Sequence, residues 1–279
     1  MKKEFLFLLS LFFLSSCLFD VVDNINEMKP IKHLDNWTLV WEDEFNDSID
    51  LRYWSKIPRT MSNLGWQRYM SFEDSCYEIK DGALILKGIV NNFASNDTAK
   101  YLTGGVWTKS KKTISLGKVE IKAKMNKPHG TWPALWLLDA NRKSPNNMGE
   151  IDIFESINAE DLIHQTIHTN YSLSTDQAFK SIIKVKDKES YNIYGVIINP
   201  EELIFLINNK ITYIYPNHSS LIDQQQFPFG YGHEMYLILS MQLNNIDWTG
   251  HVINSQLPAK MYIDWVRFYE KKDASIPDY

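Results

Sequence analysis

"GEIDIFESIN", residues 149–158, sets three carboxylates, Glu150, Asp152 and Glu155, among Ile151, Ile153 and Phe154. The apolar residues belong in a sheet interior, and desolvating a carboxylate is expensive unless it is paired or hydrogen-bonded. Side chains alternate faces along a strand, so Glu150 and Asp152 point the same way. The next residue on that face is Phe154, and the third acid comes one position late. An extra residue in the strand, a β-bulge, returns Glu155 to the face of the other two, and bulges re-aim side chains next to active sites. Without it the trio divides. The plain alternative is a solvated acidic edge strand; a Ca²⁺ cage fits less well, since no second oxygen-rich loop follows at suitable spacing.

Two carboxylates flanking a bond are the equipment of glycoside hydrolysis, and a separation of about 5–5.5 Å suits the retaining route. Four strand rises put the Glu150 and Glu155 Cα atoms roughly 13 Å apart, a gap that two long side chains leaning inward largely close. Asp152 between them is placed to hydrogen-bond one neighbour. A nearby anion and partial burial raise a carboxyl pKa, which keeps an acid/base protonated near neutrality.

Just upstream, "GTWPALWLLDAN" carries Trp132 and Trp136. Tryptophan offers a large rigid surface to the C–H faces of sugars, although either ring alone reads equally well as core. Downstream, "HQTIHTNY" sets His164, Thr166 and His168 on one face of a neighbouring strand. A His-x-x-x-His pair on a strand, without a third ligand, is a poor metal site. One histidine is expected to face the carboxylates and the other to be structural.

The rest of the 279 residues supplies the frame. Hydrophobic residues make up 44% and charged residues 23%, an ordinary globular balance, and there are nine Trp. The net charge of -5 argues against a nucleic-acid partner and leaves a neutral one. Short alternating runs dominate: "WTLVWEDEF", "GALILKGIV", "GKVEIKAKM", "YNIYGVIIN", "EMYLILSMQL" and "KMYIDWVRFYE". In "KVEIKAKM", Val119, Ile121, Ala123 and Met125 alternate with Lys118, Glu120, Lys122 and Lys124, a half-buried strand by period. "LINNKITYIY" reads as a hairpin turning at Asn208-Asn209-Lys210. Long helical periodicity, linkers and repeats are absent, so one all-β sandwich or barrel is expected.

The first seventeen residues stand outside that fold. Lys2 and Lys3 precede an apolar run from Phe5 to Leu14, too short for a bilayer span, then small residues and Cys17. Leu14-Ser15-Ser16-Cys17 resembles the lipobox of bacterial lipoproteins, in which the cysteine is lipidated. Residues 18–36 read as a tether, 37–271 as the domain and 272–279 as a tail. Cys76 is then the one cysteine of the domain, so no internal disulfide forms, and a lone thiol is more often core than nucleophile.

With these pieces in place, the chain resembles glycoside hydrolase family 16. The motifs run in the family's order, from "LVWEDEF" through "YLTGGVWTK", "GKVEIKAKM", "GTWPALWLL" and "GEIDIFE" to "MYIDWVRFYE". The resemblance implies a jelly-roll β-sandwich with a concave sugar-binding cleft. It implies Glu150 as nucleophile, Glu155 as general acid/base and Asp152 as the assisting carboxylate. E-x-D-x-x-E is the form of the bulged branch that holds laminarinases, agarases, carrageenases and endo-β-galactosidases. It also puts Trp132, Trp136, His168, Trp66, Trp107 and Gln242 among the substrate-binding residues. A structural Ca²⁺ at Glu44, Gly82 and Asp264 is implied as well, with no cofactor for catalysis.

Two segments depart from the β-1,3-glucanase pattern: "LGWQRYMSFEDS", residues 64–75, and "QLNNIDWTG", residues 242–250. The expected activity is therefore a retaining endo-β-glycosidase leaning to β-1,4-galactosidic links of poly-N-acetyllactosamine or mucin-type glycans. The runner-up is an endo-β-1,3(4)-glucanase acting on laminarin or mixed-linkage glucan; a transglycosylase and a non-catalytic sugar-binding module are the readings from other classes. Sulfated galactans would need Lys or Arg in the cleft. The enzyme is expected to be an exported monomer, lipid-anchored through Cys17 at the outer membrane or cell surface.

Overall fold

Period-two alternation becomes eighteen strands among the residues that the computed structural model describes: 22–28, 37–60, 65–92, 97–141, 149–175, 179–217, 226–244 and 247–272. The first six are β1 (Val22–Asn24), β2 (Trp37–Asp43), β3 (Ser55–Lys56), β4 (Tyr77–Lys80), β5 (Ala83–Val90) and β6 (Tyr101–Thr103). Then come β7 (Gly105–Trp107), β8 (Thr113–Ile114), β9 (Gly117–Met125), β10 (Ala134–Asp139), β11 (Gly149–Glu155) and β12 (Leu162–Thr169). The last six are β13 (Phe179–Lys184), β14 (Asn192–Ile198), β15 (Glu202–Ile207), β16 (Lys210–Pro216), β17 (Met235–Ser240) and β18 (Ala259–Lys271). One α-helix, α1, spans Asn170–Thr175. Among the described residues no helix is long and apolar enough to cross a membrane.

The strands form two sheets. The cleft sheet runs β1-β13-β12-β11-β10-β17-β7-β3, with β8 also on β17. The outer sheet runs β16-β15-β14-β9-β18-β5-β4, with β2 on β18 and β6 on β5. Inward-facing residues of both make the core, among them Val119, Ile121, Leu135, Leu137, Ile151, Ile167, Val196, Leu237, Leu239 and Val266. Phe154 of β11 meets Tyr194 of β14 across it, ring centroids 4.6 Å apart. The β15–β16 hairpin turns through Asn208 and Asn209, both left-handed at φ 50 and 59, as a two-residue hairpin requires.

Strand β9 buries more than half of itself. Val119, Ile121, Ala123 and Met125 are in the core as the alternation predicts, yet Lys118 and Glu120 are buried too. They face outward but pair at 2.9 Å, and the Tyr269 ring lies 4.3 Å from the Lys118 ammonium. A central strand flanked by β14 and β18 covers charges that period alone assigns to solvent.

Residues 22–28 correct the tether expected over 18–36. Val22–Asn24 pairs in parallel with Ile182–Lys184 of β13, and the Ile25 side chain is buried in the core. The Lys210 ammonium donates to the Ile25 carbonyl at 2.8 Å. Three residues held through their backbone leave no periodic signal. The lipobox and Cys17 lie outside the described residues.

The three residues marked for structural calcium all lie on or beside the outer sheet, and their acids do not fit the role. Glu44 is held by Arg267 at 2.7 Å and Asp264 by Lys122 at 2.7 Å. Each carboxylate is already neutralised by a cation, and Gly82 offers only a carbonyl. Ca²⁺ takes six to eight oxygens, carboxylate and backbone carbonyl alike, and these two carboxylates would have to leave their cations to supply any.

Gly104 is where the chain leaves one sheet for the other. Thr103 still pairs with β5 of the outer sheet and Gly105 already pairs with β17 of the cleft sheet. Against this crossing lies the segment around Cys76, whose buried thiol is pushed up to about 11, inert as a nucleophile. A Cβ on Gly104 would sit 2.3 Å from the Cys76 carbonyl oxygen. Backbone cannot retreat as a side chain can, so Gly104→Ala is expected to cost about 1–3 kcal/mol. A thermal melt checks it: the midpoint should fall by several degrees, and an unchanged midpoint would show that the crossing has room.

Candidate active site

The acids reach one face because β11 contains the extra residue. Against β10, Leu135 pairs with Phe154 and Trp136 with Asp152, so Ile153 has no partner of its own. Against β12, Thr166 pairs with Asp152 and His164 with Glu155, two residues on one strand spanning three on the other. Ile151, Ile153 and Phe154 are all fully buried, while Glu150, Asp152 and Glu155 line one pocket with Trp66, Trp132, Ala134, Trp136 and Gln242.

The three acids sit in different surroundings. The Trp132 indole N–H donates to Glu155 Oε1 at 2.7 Å, and Thr166 Oγ1 lies 3.5 Å from Oε2. Burial raises the Glu155 carboxyl above its ordinary value, against the lowering pull of the Trp132 bond, His168 and Thr166. Asp152 is only 3% exposed, and burial first, then the Glu155 charge, pushes it well above the usual carboxylate range. His168 Nε2 lies 3.4 Å from Asp152 Oδ2 and 4.0 Å from Glu150 Oε1. His168 is thus the histidine that faces the carboxylates, and His164 stands opposite Glu155 in register. Among the described residues the group compact enough for a metal is Glu150, Asp152 and His168, not the two histidines.

Beside the acids the pocket floor is a chain of hydrogen bonds. The Trp136 indole N–H reaches Ser240 Oγ at 3.2 Å, and the Gln242 amide nitrogen lies 2.9 Å from the same oxygen. The other end of the Gln242 amide is buried with no partner. Trp136 is 5% exposed and belongs to a second apolar cluster, with Ile57, Met70, Leu138, Tyr236 and Ile238, on the open face of the cleft sheet. Trp66 stands edge-on to it at 4.8 Å. Trp136 is therefore both packing and pocket wall. Trp107 packs edge-on against Tyr236 at 6.0 Å and on the same apolar cluster as Trp66, and it does not itself line the pocket around the acids.

Two neighbours escaped the sequence reading. Trp248 is 52% exposed and meets Trp132 edge-on at 4.7 Å. A lone aromatic in a polar loop was the available signal. Lys188 had none: its ammonium is buried beneath the loop after β11, donating to Ser156 Oγ at 2.6 Å and to the Glu160 carbonyl. Burial lowers it to about 8.

The comparisons with known proteins agree with this geometry. The model for Glycosyl hydrolases family 16 matches residues 83–267. A keratan-sulfate endo-1,4-beta-galactosidase from Sphingobacterium multivorum is 32% identical over 242 residues, covering 84% of this chain and 56% of that protein. The chain thus spans a little over half of that relative's length. A beta-glucanase from Rhodothermus marinus is 28% identical over 253 residues, covering 84% of this chain and 85% of its own. Among solved structures, the catalytic domain of a laminarinase from Thermotoga petrophila RKU-1 has TM-score 0.75 at 25% identity, over 85% of this chain and 99% of that one. A structure described by the words "Prominent members of the human gut microbiota express endo-acting O-glycanases to initiate mucin breakdown" has TM-score 0.74 at 26% identity, over 85% and 100%. The likeness bears out the jelly-roll sandwich, and the family match covers well over half of the sequence. The chain belongs to family 16 of the glycosyl hydrolases.

Proposed function

We propose that this chain is a retaining endo-β-glycosidase that cleaves β-1,4-galactosidic links in poly-N-acetyllactosamine or mucin-type glycans. The observation that carries the chemistry is the bulge, which puts two glutamates of contrasting environment into one pocket. Glu150 attacks the anomeric carbon as the glycosidic bond breaks, and the leaving oxygen takes the proton of Glu155. Water then attacks the glycosyl ester, gives its proton back to Glu155 and frees Glu150. Because an indole nitrogen only donates, Glu155 Oε1 is an acceptor and the transferable proton sits on Oε2. Burial, which raises the Glu155 pKa, favours keeping that proton on the carboxyl. Asp152, between the two, holds charge away from Glu150 while His168 orients it.

The substrate reading is supported by the 32% identity to a galactosidase and by the altered segment at residues 64–75. A glucanase reading has its own support in the relative that matches over 85% of its length. Incubation with mixed-linkage glucan, laminarin, keratan and mucin glycans, with products resolved by size, separates them. Glucose oligomers alone would overturn the galactosidic reading and leave the mechanism standing.

Glu150→Gln is expected to abolish turnover with the fold intact. Glu155→Gln should lower kcat on natural substrates by about 10²–10⁴, and far less on substrates with activated leaving groups. Near-normal activity of Glu150→Gln, or an inverted anomeric product, would sink the assignment.

The Asp152 environment predicts a trade of stability against activity. A carboxyl whose folded pKa lies above its unfolded one binds more protons when folded, so stability falls as pH climbs from the ordinary 3.8 toward the folded value. Asn carries no such cost. Asp152→Asn should lose turnover and melt higher than the parent near neutrality, with the advantage vanishing below about pH 3.8. An advantage constant with pH would remove the explanation.

We further propose that a lipid on Cys17 displays the enzyme on a membrane, where an endo-acting cleft meets polymers too large to import. One myristoyl-sized chain gives only marginal binding, so several acyl groups or a second contact must contribute. Cys17→Ala should move the protein from the membrane to the soluble fraction; a soluble parent protein would end the idea.

A further inference from the structure

The chain leaves β11 directly after Glu155, and the first residue of that loop, Ser156, is held by a buried cation that the mechanism does not use. Lys188, from the loop between β13 and β14, is 1% exposed. Its ammonium donates to Ser156 Oγ at 2.6 Å and to the Glu160 carbonyl. Its own backbone is anchored as well, the Lys188 carbonyl accepting from the Met125 N–H at 3.0 Å. Both acceptors of the ammonium are neutral oxygens. Nearby carboxylates are engaged elsewhere: Asp187 accepts from the Glu189 N–H and the Ser190 hydroxyl, and Asp161 pairs with Lys127. Burying an ammonium on uncharged partners is costly. An apolar side chain of that length would fill the space without the cost, so what the ammonium adds is a fixed position for the two oxygens.

What it fixes adjoins the chemistry. The Ser156 N–H donates to the Pro133 carbonyl at 3.1 Å, and the Asn158 N–H to the Thr131 carbonyl at 2.8 Å. The Gly130 N–H donates to Asn158 Oδ1 at 3.0 Å. The loop thus grips the backbone on both sides of Trp132, whose own N–H donates to the Gln242 carbonyl at 2.8 Å. Glu155 is the residue before Ser156, so both ends of the 2.7 Å bond between the Trp132 indole and Glu155 Oε1 hang on this one segment.

We infer that Lys188 is a positioning residue for proton transfer: by fixing Ser156 it holds Glu155 and Trp132 in the register in which the indole occupies Oε1 and leaves Oε2 to carry the proton. This deepens the glycosidase reading above and rests on it. Lys188 does not line the pocket and meets no substrate; it acts through Ser156. Misplacing an acid by about 1 Å costs on the order of 10² in rate, so a tie this close to Glu155 is felt in the chemical step.

The test compares the parent with Lys188→Met, which keeps the length and removes the donors. Ser156→Ala removes the acceptor from the other side and is the milder second variant, and a melting midpoint shows which of them is folded. The substrates are an N-acetyllactosamine oligomer and its dinitrophenyl glycoside, whose leaving group departs without a proton. On the oligomer kcat/KM should fall about ten- to a hundredfold, and on the dinitrophenyl glycoside it should stay within about twofold. The alkaline limb of the pH profile should move up, because the Trp132 bond lowers the Glu155 pKa and the charged groups beside it, Glu150, Asp152 and His168, are unchanged. Equal losses on both substrates with an unmoved limb mark a tie that serves the fold alone, and they overturn the inference, as does unchanged activity. The Trp132 indole N–H resonance of the substrate-free protein is read independently of turnover. It should shift in both variants, and the parent's position in both would overturn the inference. A parent inactive on every β-glycan rejects the glycosidase reading, while the resonance still decides whether Lys188 holds the Trp132–Glu155 pair.

Discussion

The sandwich requires β11 to put apolar side chains inward and acids outward, and the bulge at Ile153 is what meets both demands. Phe154 is held against Tyr194 in the core. Expelling a buried phenylalanine costs a few kcal/mol, more than a local twist of the strand, so the core fixes where the extra residue sits. Two neighbours then lock it: β10 skips Ile153 on one side, and β12 spans the same interval on the other. The distance between Glu150 and Glu155 is thus set from behind, by packing in which neither acid takes part.

The face that results is costly to maintain. Asp152 is almost wholly buried beside another carboxylate, and few contacts compensate it. The compensation is local: Trp132 and Thr166 on Glu155, and His168 near Asp152 and Glu150. The loop leaving the strand is pinned by Lys188 on Ser156. An active site that stores unfavourable burial needs a stiff surround, and here it has two sheets bonded through every strand and a chain crossing with no space for a methyl group at Gly104.

Much of this could be read from the sequence, for physical reasons. Period-two runs such as "KVEIKAKM" mark strands because sheet faces alternate, and the late arrival of Glu155 marks a bulge because one residue shifts that phase. What escaped depends on contacts between distant parts of the chain. Burial of Lys118 and Glu120 follows from Tyr269, far along the sequence. Pairing of residues 22–24 is carried by backbone, which every residue shares. Glu44 and Asp264 look like calcium ligands until Arg267 and Lys122 are seen on them. Trp136 could be either core or wall by composition, and it is both.

The Trp132–Glu155 hydrogen bond gives the molecule an internal probe. In the double displacement proposed above, the indole N–H rests on a carboxyl that gains and loses a proton during each turnover, so its electron density would follow that proton. An indole proton bonded to a carboxylate is more strongly deshielded than one bonded to a neutral acid. Its resonance is therefore expected to titrate with Glu155, and on the proposed mechanism to move again when the glycosyl ester forms. Nine indoles are few enough to assign one by one. The protein carries, in a side chain that also meets Trp248, a magnetic reading of the protonation state of Glu155.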